Sequence, residues 1–266
     1  MRKCLWPATL VFAFFTVCDV AVAQRANQIK KPAFPEAAKE RQLIDRTTLI
    51  GARQDPSGVP IKLVNGKNLD GWIELFNGRD LTGWVVEGTK ENNKSGAAKP
   101  VWNVQDGVIH CEGTGFGFLR YDRQWCDFVL HVEFRLTKGC NSGVGIRHVK
   151  YTGQSKTRPS YSGYEVQLLD DGGKQPNKGS SASLYRYVAP KALPVKKPGE
   201  WNTIEIECRG PRIKISLNGE LVQDVDQSKI DEIKDKPLCG YVSVQNHGKT
   251  IDFRNLRLKQ LLADAK

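Results

Sequence analysis

The feature that most restricts this chain is a two-residue alternation of apolar and polar side chains, cut into short runs by turn residues. Between positions 127 and 136, Phe128, Leu130, Val132, Phe134 and Leu136 fall on one side and His131, Glu133 and Arg135 on the other. A period of two is the geometry of a strand with one buried face. Tyr164, Val166 and Leu168 alternate in the same way with Glu165 and Gln167. Further strands are predicted at 144–149, 203–208, 213–217, 238–245 and 250–258. Asp106-Gly107 and Asn218-Gly219 read as the tips of tight hairpins. Helical periodicity is almost absent, so the chain reads as all-β: two packed antiparallel sheets, a sandwich or jelly roll.

The alternation does not extend to the N-terminus. Arg2 and Lys3, an apolar run from Ala8 to Cys18, and Ala21-Val22-Ala23 before Gln24 have the form of an export signal over residues 1–23. That run is too short to cross a bilayer, and no later segment reaches the ~18 apolar residues of a membrane span. Val17 before Cys18 is larger than the residue a lipid-anchor site requires. The expected product is an exported soluble protein, periplasmic or extracellular. Residues 24–60, punctuated by Pro32, Pro35, Pro56 and Pro60, read as a linker in which only 35–50 suits a short helix. Residues 61–266 are long enough for one large β domain.

The formal net charge of +11 invites a nucleic-acid reading. The basic residues are dispersed, however, without the Arg and aromatic interleaving of a nucleic-acid groove, so a solvated basic surface is expected. Beyond the signal there are five cysteines, Cys111, Cys126, Cys140, Cys208 and Cys239. None forms a C-x-x-C pair, which argues against structural zinc. An odd number leaves at least one thiol unpaired in a monomer, and the pairing is not legible. Leu63–Trp72 is nearly repeated as Leu75–Trp84, each copy carrying an Asn-Gly turn with a tryptophan behind it. Residues 87–100 read as a polar loop.

Alternation also sorts candidate functional residues. Opposite the core lie Glu133 with His131 and Arg135, then Arg147, then Glu165 and Gln167. If these strands are neighbours, carboxylates and a guanidinium converge on one concave surface. Arg147 would keep Glu165 ionised and fit to act as a base, or hold a developing oxyanion. The alternative is a cross-strand ion pair on a solvated sheet, worth a few tenths of a kcal/mol. Glycines at 139, 143 and 163 leave room for a ligand beside Arg147 and Glu165. Glu165-x-Gln167-x-x-Asp170 is also similar to the Glu-x-Asp-x-x-Glu strand of retaining β-glucanases, but Gln replaces the middle acid and Asp the last. His148 shares parity with Val144 and Ile146 and is assigned to the core edge. His247, in Gln245-Asn246-His247-Gly248, is either a general acid/base or a turn residue. His131-x-Glu133 offers two metal-ligand types without an identifiable third.

Several blocks, in order, resemble the 3-keto-disaccharide hydrolase family: Leu75–Trp84, Asn141–Arg147, Gly163–Asp170, Leu184-Tyr185, Trp201-Asn202, Asn218-Gly219, Gln245–Gly248 and Phe253–Leu256. The resemblance implies a concanavalin A-like jelly roll and cleavage of glycosides oxidised to a ketone at sugar carbon 3. Such a ketone acidifies the hydrogen on C2. Removing it gives an enolate that expels the C1 substituent, and water adds afterwards. The reaction needs a base, an electrophile for the enolate and an acid for the leaving group. Glu165 or His247 is expected to transfer protons and Arg147, with or without a divalent metal, to hold the enolate. Gln167, Asn141, Glu133 and Asp170 would bind the sugar, with Tyr161 and Tyr185 as stacking platforms. An oligosaccharide or glycoside is therefore the expected partner. A non-catalytic lectin-like module and an ordinary retaining β-glycosidase are the alternatives.

Overall fold

In a computed structural model of the chain, the structure describes residues 71–92 and 98–261, together with backbone strand pairing at 53–54 with 60–61 and at 63–64 with 67–68. The predicted signal, most of the linker and its helix, and the Asn65-Gly66 turn lie outside the described residues.

The strands used below are β1 (Trp72–Glu74), β2 (Trp84–Gly88), β3 (Trp102–Gln105), β4 (Val108–Cys111), β5 (Gly117–Trp125), β6 (Phe128–Leu136), β7 (Asn141–His148), β8 (Tyr164–Leu169), β9 (Trp201–Arg209), β10 (Arg212–Leu217), β11 (Glu220–Asp226), β12 (Gly240–Asn246) and β13 (Ile251–Gln260). One four-residue helix, α1 (Pro159–Ser162), precedes β8. A five-stranded sheet runs β8-β7-β12-β5-β2. A larger sheet runs β11-β10-β9-β6-β13-β1 and continues into 67–68 and 63–64, with β4 pairing both β13 and β3. Every pairing is antiparallel. This is the expected two-sheet sandwich.

Its core is made by the apolar halves of the alternating strands. Val144, Ile146, Tyr164, Val166, Leu168, Val242 and Val244 from the smaller sheet join one cluster with Phe128, Leu130, Val132, Phe134, Ile204, Ile206, Ile215 and Phe253 from the larger. Each such aliphatic side chain contributes about 1.5–3 kcal/mol by leaving water. The hairpins form at the expected dipeptides. Asp106 and Gly107 have φ of 49° and 75°, and Asn218 and Gly219 of 51° and 85°, the paired positive values that close a two-residue loop in step with strand twist. Within the second Asn-Gly copy, Asn77 Oδ1 accepts from the Arg79 and Asp80 amides, while Trp84 Nε1 donates to Leu75 O at 2.7 Å.

Three sequence expectations are corrected here. β6 lies in the larger sheet, whereas β7 and β8 lie in the smaller one. Because the two sheets meet core to core, the polar faces carrying Glu133 and Glu165 point to opposite sides of the sandwich. Second, the alternative of a solvated face on β8 fails, because that face is roofed: Glu165 is only 6% exposed and Gln167 3%. Third, the polar 87–100 segment is not simply a loop. Glu87 sits in β2 and accepts from buried Arg120 Nε on β5 at 2.6 Å, and 91–92 pairs with 99–100. Cys126 and Cys239 form a disulfide, leaving Cys111, Cys140 and Cys208 as buried thiols.

Candidate active site

The outer face of the five-stranded sheet owes its hollow to what β7 lacks. Gly143 stands opposite Gln167 and Gly145 opposite Glu165, so the strand next to the two polar side chains presents no side chains of its own there. A Cβ at Gly143 would lie 2.9 Å from Glu165 Cγ and 3.2 Å from its Oε1. The glutamate therefore lies across the space that glycine leaves. On the far side of β7, Gln245 of β12 donates from Nε2 to Glu165 Oε1 at 3.0 Å.

The roof comes from irregular chain on both sides of β8. After the strand, 181–185 folds back along its free edge: Ala182 N donates to Gln167 O at 2.7 Å, Tyr185 N to Glu165 O at 2.9 Å, and Gln167 N to Ser183 O at 3.2 Å. Main-chain groups that a sheet edge would leave unpaired are thus satisfied, and Tyr185 and Arg186 are carried to the rim. Before the strand, α1 is pinned by Lys236 Nζ, which donates to Tyr161 O and Gly163 O at 2.7 Å, and by Tyr187 OH, which donates to Ser160 O at 3.0 Å. Arg158, Ser160 and Tyr161 are thereby held over Glu165.

Together these elements enclose a cavity of about 160 Å³ lined by Asn141, Glu165, Gln167 and Gln245 below and by Phe116, Arg158, Ser160, Tyr161, Tyr185, Arg186 and His247 around it. Burial pushes the Glu165 carboxyl up to about 7, against the opposing pull of hydrogen bonds from Gln245 and Ser160 and of the Arg158 charge. Four buried side-chain atoms of the lining residues have no partner within the protein: Asn141 Oδ1, Gln167 Oε1, Gln245 Oε1 and Arg158 Nε. Buried polar atoms left unpaired are costly and rare. Three acceptors and one donor are thus left without a protein partner close to a near-neutral carboxyl.

Of the residues singled out from sequence, Glu165, His247, Gln167, Asn141, Tyr161 and Tyr185 come together at this cavity. His247 is exposed, its ring edge-on to Phe116 at 5.3 Å. Arg147, Glu133 and Asp170 do not join them. β7 bulges between Gly145 and His148, and Arg147 takes φ of 53°. That kink breaks the parity and drives a 0%-exposed guanidinium towards the turns ending β5 and β9. There it donates to Cys126 O at 3.1 and 2.8 Å, to Gly210 O at 2.7 Å and to Asp127 Oδ1 at 3.3 Å. The expected hollow shared by Arg147 and Glu165 does not exist.

Glu133, on the other sheet, accepts from Arg254 Nε and Asn255 Nδ2 at 2.7 and 2.6 Å. Burial raises its pKa, but those two hydrogen bonds outweigh burial and hold the carboxyl below its usual range. Asp170 Oδ2 accepts from Gly139 N at 2.8 Å, fastening the turn before β7. His148 is buried in the fold, where desolvation pushes its pKa down to about 4. Among the described residues, no group of three His, Cys, Asp or Glu side chains is arranged to hold a metal.

Sequence reading missed Gln245, Arg158, Ser160, Arg186 and Phe116. Gln245 was within reach, since Ser243 and Gln245 alternate with Val242 and Val244 as Glu165 and Gln167 do with their neighbours. Arg158, Arg186 and Phe116 stand on irregular chain and Ser160 in a single helical turn, where no period reports direction.

The two-sheet sandwich carries a polar cavity on one sheet, and the chain's similarities lie with carbohydrate-active hydrolases. Residues 71–259 match the 3-keto-alpha-glucoside-1,2-lyase-like domain, and the chain belongs to that family. A 3-keto-disaccharide hydrolase from Bacteroides thetaiotaomicron is 26% identical over 98% of this chain and 100% of its own length. Two crystal structures from Parabacteroides distasonis, both provisionally described as glycosyl hydrolases, share the fold. One has a TM-score of 0.59 at 23% identity, covering 73% of this chain and 95% of the other. The second has a TM-score of 0.57 at 26% identity, covering 71% and 99%.

Proposed function

We propose that this protein cleaves 3-keto-glycosides in the Glu165 cavity, by removing the C2 hydrogen and expelling the C1 substituent before water adds. The observation that carries the reading is a buried carboxyl poised near neutrality among unpaired amide oxygens. A base of that pKa is matched to a proton made acidic by an adjacent ketone, and it can return a proton in the same cycle. Glu165 takes the C2 proton. Arg158, whose charge acts on Glu165, receives the oxygen on which enolate charge develops. Asn141, Gln167 and Gln245 accept from sugar hydroxyls and fix the ring. His247 at the rim serves the departing oxygen, and Tyr161 and Tyr185 flank the leaving sugar.

A retaining glycosidase needs two carboxyl groups about 5–5.5 Å apart. Among the described residues lining the cavity, Glu165 is the only carboxylate, which favours elimination. We further propose that the protein works outside the cytoplasm. The signal-like N-terminus and the Cys126–Cys239 disulfide both suit an oxidising compartment.

Incubation with a 3-keto disaccharide and its unoxidised parent tests the reaction. Release of monosaccharide from the keto form alone is expected, with Glu165→Gln losing at least ~100-fold in turnover. Cleavage of the parent sugar would establish the ordinary glycosidase, and binding of either without cleavage the lectin-like module.

A further inference from the structure

We infer that the natural substrate carries an oxyanion, a carboxylate or a sulfate ester, on the sugar at the cavity mouth, and that Arg186 receives it. The inference rests on the cavity being the substrate site proposed above, and it adds the chemical class of the substrate.

Arg186 is held in place at some cost. Its φ is 77°, a region that non-glycine residues rarely occupy and that persists where the surroundings enforce it, often at ligand clamps. Its amide donates to Lys178 O at 2.9 Å, and the edge pairing of 181–185 with β8 fixes the chain just before it. Its guanidinium lies 4.2 Å from the centre of the Tyr161 ring, a contact between two exposed side chains that biases the planar fork towards the cavity rim. Despite this, Arg186 makes no ion pair among the described residues, whereas Arg120, Arg135, Arg212 and Arg254 each bind a carboxylate.

The charge balance of the cavity points the same way. Arg158 and Arg186 both line it, and the single carboxyl facing them, Glu165, is drawn towards neutrality by burial. A neutral glycoside would satisfy Arg158 through the keto oxygen and leave the second guanidinium unused. An arginine fork at the rim is the geometry that recognises carboxylate or sulfate through two parallel hydrogen bonds.

Binding of D-glucose, D-glucuronate and D-glucose 6-sulfate to the full-length protein at low salt provides the test. None of these probes has the ketone, so the measurement does not depend on turnover. We expect at least one anionic probe to bind about tenfold more tightly than glucose, with the preference lost in Arg186→Gln and weakened but still present in Arg186→Lys, which keeps the charge without the fork. The second variant retains the charge, which separates loss of charge from damage to the rim. Carboxylate and sulfate preferences read out separately. Equal affinity for all three sugars, or a preference that survives Arg186→Gln, overturns the inference. If 3-keto disaccharides are cleaved while no anion preference exists, this inference alone fails. If the preference exists and no keto sugar is cleaved, the anion site stands and the proposed reaction falls.

Discussion

Glu165 places function and stability in opposition at one side chain. With its pKa pushed up to about 7 from an ordinary 4.5, the folded state binds a proton that the unfolded state releases between those values. Stability therefore falls as pH rises through that window, and above pH 7 the ionised buried form costs about 3 kcal/mol. Glu165→Gln removes the charge and leaves an oxygen to accept from Gln245. The variant should melt at a higher temperature than the parent at pH 8, with the gap closing by pH 4.5. Thermal unfolding at both pH values checks this, and an unchanged or lower melting temperature at pH 8 refutes it. Because the base must be ionised, kcat/KM of the parent should rise with pH across about 7. Gly143 is the second decisive residue. An added methyl there meets the movable Glu165 side chain and not backbone, so Gly143→Ala should displace the carboxyl and lower turnover about tenfold or more. A nearly unchanged melting temperature should accompany that loss.

At the level of strands, the apolar half of each alternation was legible and the polar half only partly so. Packing forces Phe128 through Leu136 and Tyr164 through Leu168 inwards, so their direction follows from period alone. Where the opposite side chains go depends on which sheet the strand joins, as Glu133 and Glu165 demonstrate, and on whether the strand stays regular. Six of the nine residues chosen from sequence meet at the cavity: β7, β8 and the end of β12 are neighbours, and α1 and the 181–185 segment add Tyr161 and Tyr185. Arg147 fails because a bulge turns it, and a left-handed residue other than Gly or Asn leaves no compositional mark. Buried Arg147 supplies hydrogen bonds to two carbonyls and Asp127, so it acts on stability. Replacing it with Ala orphans those acceptors and should cost about 3–5 kcal/mol. Denaturant unfolding of Arg147→Ala measures the loss; a variant as stable as the parent but without turnover would restore the arginine to a direct role.

Over the whole molecule, the cavity depends on how the smaller sheet is tied to irregular chain around it. The Cys126–Cys239 bridge joins the turn between β5 and β6, where the chain passes from one sheet to the other, to the residue before β12, which carries Gln245. The same turn offers Cys126 O to Arg147, whose own carbonyl is packed so closely by Gly163 and Gly240 that a Cβ at either would come within 2.5 Å of it or its carbon. One knot thus connects the disulfide, the bulge of β7 and the entry to β8. The bridge closes a loop spanning a sequence separation of 113, for which chain entropy alone predicts roughly 4–5 kcal/mol of stabilisation. Cys126→Ser/Cys239→Ser should therefore unfold at markedly lower denaturant than the parent, and reductant should lower the parent to the level of the variant. The variant has no bridge to lose, so reductant should leave its transition unmoved. A parent whose transition ignores complete reduction, verified by thiol titration, would mean that packing around Arg147 holds the knot without the covalent link.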